Sequence, residues 1–297
     1  MSNPTISFRS NSPCCREKQG GIRPISIGDV HSRLTSKCLA SLLSEDCVSA
    51  FSPFRLGVKV RGSCESVIHA TSAAFFSDSP IDEGFILQFD FENAYNNADC
   101  SHFLAETRKR FPSLSSWAEV SYGTPSHLFF RGHRLSSSVG SILFGAGLHP
   151  LIEEINRDVP DLVANQWIMD DGTMIGSLDD LRKVAEIIST NGPSKGLFLN
   201  KSKSSIWVGS QYENNPDPTG LGIPKTDPRG IQLLGSPIGS DIFMQEVVND
   251  RISLVESTIV SKLFLRKPTG PNVSSKIMSL SAKINVHSPY LQAGFPR

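Results

Sequence analysis

Asn165-Gln-Trp-Ile-Met-Asp-Asp-Gly-Thr-Met-Ile-Gly176 sets two short apolar runs on either side of an adjacent aspartate pair. Residues 166–169 and 173–175 have the length and composition of two strands, and Gly172, able to take φ > 0, suits the turn between them. The pattern predicts a hairpin with Asp170 and Asp171 at its solvent end. Side chains alternate along a strand, so the two carboxylates point different ways and one is more inward-facing. Acids so close repel each other, and a tight pair usually has a cation or another partner. Taken alone, an Asp-Asp pair reads as an acidic turn, and Asp179-Asp180, just before a helical pattern, reads as helix-start charge. The pair gains chemical meaning only with a third acid.

Glu83-Gly-Phe-Ile-Leu-Gln-Phe-Asp90 supplies it, as a strand ending on a carboxylate and followed by Phe91-Glu-Asn-Ala-Tyr95-Asn96. A strand-terminal Asp beside a hairpin bearing two more acids can chelate two divalent ions through oxygen, a donor set that suits Mg²⁺. Two ions about 4 Å apart clamp the attacking and leaving oxygens of an in-line phosphoryl displacement.

Five stretches then follow in order. They are Gly20-Gly-Ile-Arg23-Pro-Ile with Arg33-Leu and Lys37 behind it, Asp90-Phe-Glu-Asn-Ala-Tyr95-Asn96, Ile168-Met-Asp170-Asp171, Gly196-Leu-Phe-Leu-Asn200 with Lys203, and Leu233-Leu-Gly235-Ser-Pro. In this order and spacing, over roughly residues 14 to 260, the chain resembles the reverse transcriptase domain of non-LTR retrotransposons. The stretches match its fingers segment, first palm motif, aspartate-pair motif, the block after it and the primer-side hairpin.

The resemblance implies an α+β right-hand polymerase core. Residues 1–13 would be disordered or a cut edge, 14–83 the fingers, 84–240 a palm whose antiparallel sheet packs on helices, and 241–297 a truncated thumb or unmatched tail. It implies an RNA-directed DNA polymerase that transfers a nucleotide from a dNTP to a primer 3′-hydroxyl on an RNA or DNA template, with Mg²⁺ or Mn²⁺ as cofactor. Asp90, Phe91, Asp170 and Asp171 would hold the ions, and Lys203 would protonate departing pyrophosphate, with Lys201 as its rival. Tyr95 would lie under the sugar of the incoming nucleotide, excluding a 2′-hydroxyl. Lys18 and Arg23 would grip triphosphate or template phosphates, for which a guanidinium fork is well shaped. Arg33, Lys37, Leu234 and Gly235 would contact nucleic acid. Without the resemblance, each of these basic residues reads as a solvated surface position, and Tyr95 as a core aromatic.

The sequence departs from the family in three places. Ile168 stands where a tyrosine is usual before the aspartate pair, and Arg55 where an amide is expected. Gly140 runs straight into Ser141-Ile-Leu-Phe144, where the family inserts a Gln-Gly-Asp-Pro-Leu-Gly loop, a gap of roughly seven or eight residues. That loop touches the templating base and nucleotide, so an alternative reading is a catalytically impaired remnant of the same fold that still binds nucleic acid. A third reading, an unrelated metal-dependent phosphodiesterase, is opposed by the absence of histidines near the acids in sequence.

Composition bounds these readings. With 297 residues, 39% of them hydrophobic, the chain can bury one or two cores. No apolar run follows Met1 and none reaches membrane-spanning length, so an intracellular protein with no membrane partner is expected, and no obligate protein partner is inferred. The six cysteines, at 14, 15, 38, 47, 64 and 100, include no Cys-x-x-Cys pair, which argues against zinc and for a reducing compartment. The formal net charge is zero, but residues 1–61 carry nine Lys/Arg against four Asp/Glu, and residues 62–100 carry none against seven. A basic lobe beside an acidic strand is the division a template-dependent polymerase needs.

Local patterns complete the reading. Residues 30–43 predict a helix with Val30, Leu34, Cys38 and Leu42 as its apolar stripe, and residues 66–76 a second helix. Ser101 is the expected cap of a helix running to Arg110, with Phe103, Leu104 and Phe111 inward and Pro112 ending it. Ser177-Leu-Asp-Asp180 has capping-box spacing, followed by the apolar face Leu181, Val184, Ile187 and Ile188 and the stop Asn191-Gly192-Pro193. Residues 196–200 and 231–238 read as strands, a helix begins past Leu254, and residues 266–297 match nothing.

Overall fold

Phe85-Ile-Leu-Gln-Phe89 is apolar at four of five positions, and such a strand is stable only with both faces covered. In the computed structural model, which describes residues 14–16, 22–24, 30–76, 85–123, 139–208, 217 and 220–265, it lies inside a sheet with cover on each side. The chain divides into two compact units, Met1–Ser240 and Asp241–Arg297. The second is described through one helix, Asp241–Leu265.

In the first unit, β1 (Cys14–Arg16) pairs antiparallel with β2 (Ile22–Pro24). Helices α1 (Val30–Leu42), α2 (Ser44–Phe51) and α3 (Ser63–Phe75) lead to β3 (Phe85–Phe89). After it come α4 (Ala94–Asn97), α5 (Cys100–Arg110), α6 (Pro112–Tyr122) and α7 (Gly140–Asp158). The hairpin β4 (Ala164–Ile168) and β5 (Asp171–Gly176), helix α8 (Leu178–Asn191) and β6 (Ser205–Trp207) complete an antiparallel sheet of order β4-β5-β3-β6. A separate hairpin joins β7 (Gly230–Leu233) to β8 (Ser236–Gly239).

The period-two alternation of strands sorts the side chains into two cores. Phe85, Leu87 and Phe89 of β3 join Trp167, Met174 and Ile206 in the main core, with the buried residues of α5, α7 and α8. Ile86 and Ile175 face the other way and pack with Val67 of α3 and with Ile231, Leu233 and Ile238 of the β7/β8 hairpin. Gln88, the polar position of β3, donates from Nε2 to the Gln232 carbonyl at 3.1 Å and accepts from Ser205 Oγ at 3.0 Å. Helix α7 is buried almost all round, as an interior helix must be to carry Ile142, Leu143, Phe144, Leu148, Leu151, Ile152 and Ile155. Its Gly147 lets α5 approach closely: a Cβ there would lie 3.0 Å from that of Phe103, and His102 Nε2 reaches the Gly147 carbonyl at 2.9 Å.

Several sequence expectations are corrected. The stripe of α1 faces solvent, with Val30 73%, Leu34 60% and Leu42 79% exposed and Cys38 exposed too. The inward face is Ser36 and Ala40, two small residues on the opposite side of the helix. Ser36 can be buried because its hydroxyl donates to the Ser32 carbonyl at 2.7 Å. The cap of α5 is Asp99, which accepts from the His102 backbone N–H at 2.7 Å, and not Ser101. Helix α3 starts at Ser63, three residues before the expected 66. Pro112 does more than end α5: it takes the first turn of α6, where a missing N–H costs nothing. Residues 196–200 form one bridge, Leu199 with Phe91, in place of a strand, whereas the hairpin expected at Leu233-Leu-Gly235-Ser-Pro is present as β7/β8. The helix expected past Leu254 begins at Asp241. Ser177 caps α8 as expected, its hydroxyl accepting from the Asp180 N–H at 3.2 Å. Residues 1–13, Lys18 and the tail 266–297 lie outside the described residues. No described helix is long and apolar enough to cross a membrane.

The cap assignment predicts that Asp99→Ala lowers unfolding free energy by about 1 kcal/mol while Ser101→Ala changes it by less than about 0.5 kcal/mol. Urea denaturation of the two variants separates them, and a larger loss for Ser101→Ala would reject the assignment.

Candidate active site

The aspartate hairpin is as expected in outline, with β4 and β5 paired through Ile168 opposite Asp171 and a turn at Met169 and Asp170. The left-handed residue is Met169, at φ 57°, and not Gly172. Glycine is needed at 172 for a different reason. A Cβ there would sit 2.7 Å from the Trp167 ring, which lies against that backbone. Trp167 is wholly buried, donates from Nε1 to Asn165 Oδ1 at 2.9 Å, and stacks on Phe91 with ring centroids 5.9 Å apart and planes 9° from parallel. The indole therefore ties the hairpin to the residue next to Asp90.

Register fixes the third acid. Phe89, the last paired residue of β3, is opposite Gly172, so Asp90 leaves the ladder beside the end that carries Asp171 and its charge is felt there. The backbone of Asp90 is held on its other side, its N–H donating to Ser204 Oγ at 3.2 Å and its carbonyl accepting from the Asn200 N–H at 2.9 Å. Glu92 N–H donates to the Phe198 carbonyl at 2.8 Å, which carries the ladder past Phe91. Lys203 belongs to the same turn, one residue before Ser204, and its side chain is exposed, as is that of Lys201.

Asp171 keeps a solvent-facing surface at the tip, yet protein atoms crowd its other side. That partial loss of hydration, with the charges of Asp170 and Asp90 added, pushes its carboxyl up to about 6. The three acids thus share one electrostatic neighbourhood. Their oxygens are the right donors for a hard divalent cation, and a cation would relieve the repulsion that Asp171 registers. Among the described residues no three acidic, histidine or cysteine side chains already form a set that could hold a metal ion.

Tyr95 lies beneath this tip. Asn93, at φ 45°, turns the chain into α4, and Tyr95 stacks on Phe144 of α7 at 4.5 Å and donates from its hydroxyl to Met169 Sδ at 3.4 Å. Burial, with Asp170 and Asp171 adding to it against Arg55, holds the phenol up to about 12, so it stays protonated.

Arg55 is the functional candidate that sequence reasoning left without a role. It is wholly buried, with its guanidinium 5.3 Å from the Phe51 ring centroid and 5.5 Å from that of Phe144. Burial lowers its pKa to about 10, against the opposing pull of Tyr95 and Asp170, and it remains charged at neutral pH. The available signal was its departure from the amide of the family, inside the aromatic run Phe51-Ser-Pro-Phe-Arg55.

The other predicted residues lie elsewhere. Arg33 and Lys37 are exposed on α1. Leu234 and Gly235, at φ 48° and 88°, form the turn of the β7/β8 hairpin on the second face of the sheet. Arg23 lies in β2.

No protein-family model matches this sequence, and no curated protein does. Solved structures do. Telomerase from Candida tropicalis in complex with a TWJ fragment of telomeric RNA matches with a TM-score of 0.56 at 12% identity, covering 77% of this chain and 43% of that one. The corresponding complex from Candida albicans matches with a TM-score of 0.54 at 13% identity, covering 80% and 45%. Apo telomerase from Candida tropicalis truncated from its C-terminal domain gives 0.53 at 12%, covering 77% and 53%. The chain spans about half the length of these structures. Identity this low shows the fold alone: this chain shares its fold with these telomerase structures.

The raised Asp171 carboxyl has a definite sign in stability. Its ordinary value is 3.8 and its folded value about 6, so the folded state binds the proton more tightly, and stability falls as pH rises between those values. Solvent screening at the exposed tip limits the effect, so Asp171→Asn should gain about 1 kcal/mol at pH 7 and almost nothing at pH 4 in metal-free buffer. Thermal melts at the two pH values test it, and a variant less stable than the native chain at pH 7 would contradict the assignment.

Proposed function

We propose that the chain is the fingers-and-palm part of a reverse transcriptase of the non-LTR retrotransposon type. The observation that carries this reading is the register that sets Phe89 opposite Gly172, with Asp90 and Asp171 the next residues on the two strands, Asp170 in the same turn and the Tyr95 hydroxyl on Met169. The polymerase fold shared with the telomerases supports it, and the RNA bound in two of those structures supports nucleic acid as the partner.

In this reading Asp90, Asp170 and the Phe91 carbonyl, with Asp171 beside them, would hold Mg²⁺ or Mn²⁺, which when bound would supply Lewis acidity for nucleotidyl transfer from dNTP to primer. Most of the remaining catalysis is positioning. Tyr95, packed on Phe144 and tethered to Met169, presents a rigid ring edge to the sugar and excludes a 2′-hydroxyl by overlap. Lys203 stands in the turn that holds Asp90 and can give a proton to pyrophosphate. Lys18 and Arg23 meet phosphates, while Arg33, Lys37, Leu234 and Gly235 meet the template-primer.

A second reading, an impaired remnant of the same fold, is favoured by one observation. Gly140 and Ser141 are already helical at the start of α7, so the Gln-Gly-Asp-Pro-Leu-Gly loop has no counterpart at that junction. Losing contacts that align base and nucleotide is costly, since a displacement of about 1 Å can lose about a hundredfold in rate.

Primer extension on poly(rA)/oligo(dT) with Mg²⁺ or Mn²⁺ tests both readings. Extension by the native chain should be lost in Asp170→Asn, and wild-type rates in that variant would remove the acids from catalysis. Inserting Gln-Gly-Asp-Pro-Leu-Gly after Gly140 should raise the rate by about a hundredfold or more. Equal rates with and without the loop would discard the remnant reading. In whichever chain extends, Tyr95→Val should increase ribonucleotide use relative to deoxyribonucleotide; an unchanged ratio leaves Tyr95 as a core aromatic.

A further inference from the structure

A guanidinium removed from water needs compensation, and Arg55 has little from hydrogen bonds. Its Nη2 makes one long contact, 3.5 Å to the Ser141 carbonyl, and Nε and Nη1 have no hydrogen-bond partner among the described residues. The rings of Phe51 and Phe144 offset part of the cost through cation–π attraction. The fold nonetheless makes room for this side chain. A Cβ at Gly145 of α7 would lie 2.5 Å from Nη1, so only glycine there admits the guanidinium.

Three contacts tie the Arg55 segment to Trp167 and Met169, on the strand and turn that lead into Asp170. Its backbone forms a parallel bridge with Trp167, flanked by Leu56 N–H to the Trp167 carbonyl at 3.0 Å and Trp167 N–H to the Phe54 carbonyl at 2.8 Å. Two residues on, a Cβ at Gly57 would lie 2.6 Å from the Met169 nitrogen, so this segment runs directly against the aspartate turn. The Phe144 ring beside the guanidinium stacks on Tyr95, whose hydroxyl reaches Met169.

We propose that Arg55 is a fixed internal counter-charge of the acidic tip, which offsets the charge of Asp170, holds the hairpin together without a cation and lowers the affinity of the tip for one. The affinity half of this proposal rests on the reading of Asp90, Asp170 and Asp171 as a cation site. Arg55 acts through Asp170 and is a positioning residue: it is enclosed by Phe51, Phe144 and Gly145 and has no exposed surface. A permanent positive charge in a poorly hydrated position acts over several ångströms, because little water screens it. It leaves the tip with a weaker field for a divalent ion than its three carboxylates alone would make.

Mn²⁺ binding, measured by isothermal titration calorimetry on the full chain without nucleotide, reads the affinity directly. Arg55→Gln should bind Mn²⁺ about tenfold more tightly than the native chain, whereas Arg55→Lys, which keeps the charge, should stay within about threefold. A folded Arg55→Gln with unchanged or weaker Mn²⁺ affinity overturns the proposal. Melting midpoints in metal-free buffer at pH 7 give a second readout that does not require Arg55→Gln to fold. Asp171→Asn should melt above the native chain and Asp170→Asn below it, since only the latter strips Arg55 of its counter-charge. An Asp170→Asn chain as stable as Asp171→Asn overturns the proposal independently. A native chain that takes up no Mn²⁺ overturns the cation-site reading, and the order of the midpoints alone then decides the role of Arg55.

Discussion

The antiparallel pairing of β3 with β5 is the constraint from which the site follows, because it sets Phe89 opposite Gly172, 83 residues further along the chain, and so brings the next residue, Asp90, towards Asp171. A slip of one residue would also turn Phe85, Leu87 and Phe89 out of the main core and exchange them for Ile86 and Gln88. Each large apolar side chain is worth about 1.5–3 kcal/mol when buried, so packing defends the register far more strongly than any carboxylate repulsion opposes it. The chemistry is thus imposed by the core: the acids stand together because the strands bearing them have nowhere else to go.

The same core explains why the tip is rigid. Trp167 fills the space beneath Gly172, stacks on Phe91 and is fixed by Asn165, so displacing either acid-bearing strand means moving an indole out of a filled interior. From the other direction Gly57 and Met169 are in backbone contact, and Gly145 admits Arg55. Three glycines therefore serve one purpose, which is to let large side chains and backbone close up around the turn.

Much of this was legible in the sequence, though unevenly. The hairpin, the strand leading into Asp90 and the capped helix after Ser177 all rest on local patterns that tertiary structure had no reason to override. Helix α1 misled because a stripe at spacing four says which residues share a face and not which face is covered. Burial went to Ser36 and Ala40, small enough for close approach, and the larger Val30, Leu34 and Leu42 stayed outside. Gly172 misled in a related way: a glycine in a turn suggests positive φ, but here the side chain it lacks matters and the backbone angle falls to Met169. The departure at Arg55 was visible but its burial was not, since nothing local announces that a charged residue will be enclosed by a helix still 85 positions away.

Arg55 and Asp171 together show how the fold distributes electrostatic cost around the tip. An interior cation with few hydrogen bonds and a surface carboxyl held well above its ordinary range are each unfavourable alone. The charge of Asp170 is felt by both, and it helps one as it harms the other: it favours the ionised Arg55 and disfavours the ionised Asp171. Removing Asp170 would therefore exchange one strain for another. A group placed between opposite demands in this way is poorly replaced by any neutral residue, so the aspartate pair is more tightly constrained than metal binding by itself would require.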